Sequence, residues 1–112
     1  MNLILEEKDT HAILRLEGRV DATSAPLLEQ KIDDLTHKGN SRLLIDFAQV
    51  DYLSSAGLRF LLAATKRYKS NGGTLVISSV GEEVMEIIKM AGFEKILKIF
   101  PNEEKALKAL VS

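Results

Sequence analysis

Leu43-Leu44-Ile45-Asp46-Phe47, followed after Ala48-Gln49 by Val50-Asp51-Tyr52-Leu53-Ser54-Ser55-Ala56-Gly57-Leu58-Arg59, is the stretch on which the fold turns. Its first part is a dense apolar run, too short for a helix and of the composition of a strand buried on both faces, so it reads as the central strand. From Ser55 onward Leu58, Leu61, Leu62 and Thr65 recur on a helical stripe, and Lys66, Arg67 and Lys69 fall near the end where they complement the macrodipole. The segment from Val50 to Arg59 is therefore expected to be the loop that carries a central strand into a helix. Asn71-Gly72-Gly73 ends that helix.

On the N-terminal side, Leu3 to Glu7 and Ala12 to Glu17 read as strands joined by a hairpin at Lys8-Asp9-Thr10-His11, the second stopping at Gly18. Ser24-Ala25-Pro26 opens a helix, with Ser24 as the cap and Pro26 in the first turn, where its missing donor costs nothing. Leu28, Ile32 and Leu35 give that helix its apolar face, and Gly39 closes it. Downstream, Thr74 to Ser78 is a strand; Val84, Ile87, Ile88 and Ala91 mark a helix that stops at Gly92; Ile96 to Phe100 is a last strand; and Asn102 caps a terminal helix. The alternation predicts an α/β fold, with a mainly parallel mixed central sheet of about five strands, about four helices and right-handed crossovers.

The 112 residues make about one domain, so residues 1–112 are read as a single unit. A net charge of -1, from 15 basic and 16 acidic side chains, gives no basic surface of the kind that binds nucleic acid. The chain has no cysteine, which excludes disulfides, thiolate metal sites and cysteine nucleophiles. No apolar run approaches the roughly 20 residues of a membrane span, and the acidic start resembles no signal peptide, so a cytoplasmic protein without direct membrane insertion is expected.

Few residues of the chain are candidates for catalysis. Neither a G-x-x-x-x-G-K-[ST] nor a G-x-G-x-x-G loop is present, the seven glycines being scattered as punctuation. His11 falls in the hairpin turn and His37 near a helix end, and each reads as a solvated histidine without a ligand set or nucleophile partner. Of the acidic pairs, Glu82-Glu83 and Glu103-Glu104 stand at expected helix starts, where negative charge is favourable in any case.

Ser54 and Ser55 are different. One of them is expected to cap the helix, a contribution of about 1 kcal/mol, with Ala56 and Gly57 allowing close packing of the helix on its neighbour. The same position suits a modification, because a hydroxyl at a helix N-terminus lies beside unpaired amides that stabilise a phosphate. A phosphoserine there adds about -1.5 to -2 charges at pH 7. With Asp21 and Asp51 expected in loops at the same sheet edge, it would repel an acidic partner. Asp21 is equally readable as a turn or cap residue, and Leu58, Leu61 and Leu62 as core.

Three segments together carry a resemblance: Gly18-Arg19-Val20-Asp21, Leu43-Leu44-Ile45-Asp46 and, most specifically, Tyr52-Leu53-Ser54-Ser55-Ala56-Gly57-Leu58. Over essentially its whole length the chain resembles the anti-sigma factor antagonists, STAS-domain proteins of bacterial partner-switching pathways. The resemblance implies a regulatory protein, not an enzyme, with no cofactor of its own. Its unphosphorylated form would bind an anti-sigma factor, a serine kinase of the histidine-kinase-like ATPase fold, and so free a target. That kinase would switch it off by phosphorylating a serine at the start of the second helix, and a metal-dependent PP2C-type phosphatase would restore it. The common Asp-Ser-[Ser/Thr]-Gly-Leu pattern has its acceptor directly before the glycine, where this chain has Ala56. The nearest remaining hydroxyl is Ser55, the preferred acceptor, with Ser54 the second choice. The implied partner surface is Asp21, Ala22, Thr23, Ser54, Ser55, Ala56, Gly57, Leu58 and Arg59, with the small residues 56 and 57 admitting a partner's backbone and Arg59 forming a rim salt bridge.

Other readings compete. One is an unphosphorylated STAS subunit of a membrane transporter complex; another, if Ala56 has removed the switch, a constitutive binder. A serine-nucleophile enzyme is disfavoured by the absence of a Gly-x-Ser-x-Gly elbow and of a base, and nucleotide binding by the absence of a phosphate loop.

Overall fold

The computed structural model describes residues 1–111. Five strands lie in the order β1-β2-β3-β4-β5: β1 (Asn2–Glu7), β2 (Ala12–Val20), β3 (Arg42–Leu53), β4 (Thr74–Ser78) and β5 (Ile99–Phe100). β1 is antiparallel to β2 and every other pairing is parallel, with β3 in the middle as expected. The helices are α1 (Ala25–His37), α2 (Ser55–Ser70), α3 (Glu82–Met90) and α4 (Glu103–Val111). None of the described helices is long and apolar enough to cross a membrane.

Because the parallel strands follow one another in sequence order, right-handed crossovers place all their connecting helices on one face. Residues of α1, α2 and α3 accordingly share one core with Leu14, Leu16, Leu43, Ile45, Leu75 and Ile77. Several of these side chains are fully buried, each worth about 1.5–3 kcal/mol. The opposite face is left to α4, whose Ala106 and Leu110 cover Ile13, Leu44 and Val76 in a small second cluster. On that face, two residues beyond Ile13, Arg15 ties three elements together through Glu6, Asp46 and Glu103.

The helix ends match the sequence reading where glycine takes positive φ: Gly39 (86°), Gly72 (75°) and Gly92 (81°). Asn102 caps α4, its side-chain oxygen accepting from the Lys105 N–H at 2.9 Å. Four expectations need correction. β2 does not stop at Gly18, because that residue adopts φ 107° at an irregularity and the strand continues to Val20. β3 does not end at Phe47 but runs on to Leu53, its register against β2 shifting twice, so the segment from Val50 is no loop and Asp51 lies within a strand. Ile96 to Phe100 is mostly not strand: the Ile96 and Leu97 N–H groups both donate to the Phe93 carbonyl, and only Ile99–Phe100 pairs with β4. Ser24 does not cap α1. Its backbone is already helical, and the carboxylate of Asp21 receives the free amides instead.

Candidate functional site

With β3 extended to Leu53, the strand-to-helix junction narrows to Ser54. Its backbone is extended (φ -87°, ψ 174°), its N–H donates to the Val20 carbonyl at 2.9 Å, and its Oγ accepts from the Gly57 N–H at 3.2 Å. Ser54 is thus the cap, its hydroxyl oxygen occupied by the backbone. Ser55, the first helical residue, is exposed, and its hydroxyl makes no hydrogen bond to the described residues. No acidic side chain lies in this first turn, so no residue of α2 itself offsets the positive end of its dipole.

The Ser54–Val20 hydrogen bond also brings in the turn between β2 and α1. Asp21 Oδ1 accepts from the Thr23 N–H at 3.0 Å and the Ser24 N–H at 3.1 Å. Ser24 Oγ donates to the Arg19 carbonyl at 2.8 Å and accepts from the Asp21 N–H at 3.0 Å. The backbone N–H of Ser24 is the main reason that the Asp21 carboxyl lies below its ordinary value; partial burial opposes the shift. Ala22 and Thr23 are exposed at the crest of this turn. Beside it the Arg19 guanidinium stacks 4.1 Å from the centroid of the Tyr52 ring and approaches Asp21 Oδ2 at 3.6 Å.

The two segments named from the sequence therefore meet at the C-terminal edge of β2 and β3, but their residues differ in orientation. Ala22, Thr23, Ser55 and Arg59 are exposed; Asp21, Ser54 and Ala56 are half-buried. Gly57 and Leu58 are buried in the chain's own core. Gly57 does not open a path for a partner's backbone: a Cβ there would lie 2.3 Å from the Val20 carbonyl oxygen, so its smallness serves the packing of α2 on β2. The pairing of Arg19 with Tyr52 has no signature in the sequence. They are partners across the β2–β3 register, a relation fixed only by the irregularities in β3.

Both histidines lie elsewhere. His11 is in the hairpin before β2, and His37 donates from Nδ1 to the Asp33 carbonyl at the end of α1. Those positions flank the N-terminal ends of β2 and β3, the opposite sheet edge from Ser55, so neither histidine serves as its base.

The two serines make a contrast that unfolding can read. Ser54→Ala removes the oxygen that receives the Gly57 N–H and is expected to cost about 1 kcal/mol, whereas Ser55→Ala changes stability by less than about 0.5 kcal/mol. Urea denaturation of both variants checks this.

The fold is an α/β domain in which an exposed hydroxyl, Ser55, and an exposed cation, Arg59, stand one helical turn apart at the sheet's C-terminal edge. The chain belongs to the STAS domain family, whose model matches residues 2–106. It is 32% identical over 109 residues to BtrV of Bordetella bronchiseptica, which goes by the name of an anti-sigma factor antagonist, the alignment covering 97% of this chain and 94% of that one. It is 26% identical over 104 residues to the anti-sigma-B factor antagonist of Bacillus subtilis, covering 93% and 94%. Among solved structures, an anti-sigma factor antagonist from Mycobacterium paratuberculosis superposes with a TM-score of 0.88 at 26% identity, covering 99% of this chain and 94% of that one.

Proposed function

We propose that this protein is an anti-sigma factor antagonist of the cytoplasm, and that phosphorylation of Ser55 switches its binding off. Unphosphorylated, it binds an anti-sigma factor that is also a serine kinase of the histidine-kinase-like ATPase fold, and so frees that factor's target. A PP2C-type phosphatase returns it to the binding form. The names of its relatives support the general role. One observation carries the choice of acceptor: of the two junction serines, Ser54 has its oxygen engaged as a cap while Ser55 presents an unengaged hydroxyl to solvent. Asp21, Ala22, Thr23, Ser54, Ser55, Ala56 and Arg59 form the proposed contact surface, which Gly57 and Leu58 shape from beneath.

Intact-mass spectrometry with site localisation, after incubation with ATP, magnesium and the candidate kinase, tests this. One phosphate is expected on the wild type and on Ser54→Ala, and none on Ser55→Ala. Affinity for the kinase, measured by calorimetry, should fall at least tenfold on phosphorylation, the equivalent of about 1.4 kcal/mol. An unmodified wild type beside an active kinase would make the protein a constitutive binder.

A further inference from the structure

We propose that Arg59 is the intramolecular partner of a phosphate on Ser55, and that phosphorylation works in part by withdrawing this cation from the contact surface. The inference rests on Ser55 being the acceptor. Ser55 and Arg59 are four residues apart on α2, the spacing that stacks side chains on one helical face with Cβ atoms about 6 Å apart. Both are exposed. Arg59 makes no ion pair among the described residues, whereas Arg67 on the same helix is held by Asp33 and by Thr36, and Arg19 by Tyr52 and Asp21. The planar guanidinium matches the oxygens of a phosphate, and a side chain of its length spans one helical turn.

The electrostatics follow. In the unmodified protein Arg59 offers a whole positive charge to a partner's carboxylate at the rim of the surface. A phosphate of about two negative charges on Ser55 takes up that cation and leaves the turn negative, with no movement of the backbone. A partner carboxylate then loses its counter-charge and meets repulsion at the same place. Other charges at this edge are Asp21 on the β2–α1 turn, Asp51 at the end of β3, Glu82 and Glu83 at the start of α3, and Arg19. They are common to the wild type and an Arg59 variant, so a comparison of the two isolates Arg59.

The full chain with phosphoserine installed at position 55 during translation needs no kinase. Its phosphate is titrated by 31P NMR in the wild type, Arg59→Gln and Arg59→Lys. The second ionisation, ordinarily near pH 6, is expected to rise in Arg59→Gln by about 0.3 unit, a twofold change, with Arg59→Lys between the two. Identical midpoints in all three proteins would overturn the pairing. Urea midpoints of the unphosphorylated forms, expected to coincide, show that folding is not the cause of a difference.

The withdrawal of Arg59 is read separately, by calorimetry against the purified candidate kinase. Arg59→Gln should weaken binding several-fold, and phosphorylation should then cost this variant less than it costs the wild type; strictly additive losses would refute the withdrawal. A kinase that leaves Ser55 unmodified while the titration difference persists would refute the acceptor and leave the side-chain pairing standing.

Discussion

Gly57→Ala lowers the unfolding free energy by about 3 kcal/mol, although helix propensity alone would favour alanine here by about 1 kcal/mol. The added Cβ would lie 2.3 Å from the Val20 carbonyl oxygen, 2.9 Å from its carbon and 2.8 Å from Leu53 Cδ1. The leucine methyl can turn aside, but the Val20 carbonyl is main chain and is fixed by the Ser54 N–H at 2.9 Å. Relief therefore requires α2 to lift from β2 or its first turn to unwind, and either moves Ser54 and Ser55 away from the Asp21 turn. Overpacking costs of 1–3 kcal/mol are usual where side chains yield, and an obstacle of backbone puts this site at the upper end. Gly81→Ala is the control, since a Cβ at Gly81 meets nothing within 4 Å. Its loss is expected to stay below about 1 kcal/mol, the scale of a helix cap. Urea denaturation of both variants gives the comparison, and a neutral or stabilising Gly57→Ala would refute the packing role.

What the sequence shows and hides follows from how each element is stabilised. Leu43 to Phe47 is legible because a strand covered on both faces is written as an apolar run. The ends of α1, α2 and α3 are legible because Gly39, Gly72 and Gly92 take a conformation that few other residues adopt. The second half of β3 is not. Its register shifts break the alternation, so that only Val50 and Leu53 are buried in Ala48-Gln49-Val50-Asp51-Tyr52-Leu53 and the polar residues imitate a turn. Ser24 and Asp21 are both good caps by type, and which one caps is decided by where the chain leaves β2. The same limit applies at the site. A serine at a helix start can be read from spacing, but the obstacle facing Gly57 is the carbonyl of Val20, a contact that exists only once β2 and α2 have packed.

Arg15→Ala is expected to cost about 2 kcal/mol at neutral pH and to cost less in acid. The Arg15 Nε donates to Glu6 Oε2 at 2.5 Å, and one terminal nitrogen reaches Asp46 Oδ2 at 2.8 Å and Glu103 Oε1 at 2.5 Å. One cation thus serves three carboxylates from β1, β3 and α4, and its own ionisation is pushed further up by Glu103 first and Glu6 next. Without it the three carboxylates face one another on the side of the sheet that α4 covers. The network is partly open to water, which sets the cost below the 3–5 kcal/mol of a fully buried broken pair.

The direction with pH follows from Glu6, whose carboxyl lies below 4.5 chiefly because Arg15 donates to it, against a smaller opposing effect of burial. A lowered carboxyl stabilises the folded protein above its unfolded value and ceases to do so as pH falls through the folded one. The wild type therefore loses this contribution below about pH 4.5. The variant never had it, and gains instead as protonation relieves its repulsion. The stability difference should narrow steadily below pH 4.5, and Glu103→Gln in the Arg15→Ala background should recover part of it at pH 7. Urea titrations across pH check both expectations, and a difference independent of pH would show that Arg15 acts by packing its stem alone. Because α4 is otherwise held on the sheet by a small cluster around Ala106 and Leu110, its amides in Arg15→Ala should exchange with solvent faster than those of β3, which places the lost energy at α4 and not in the main core.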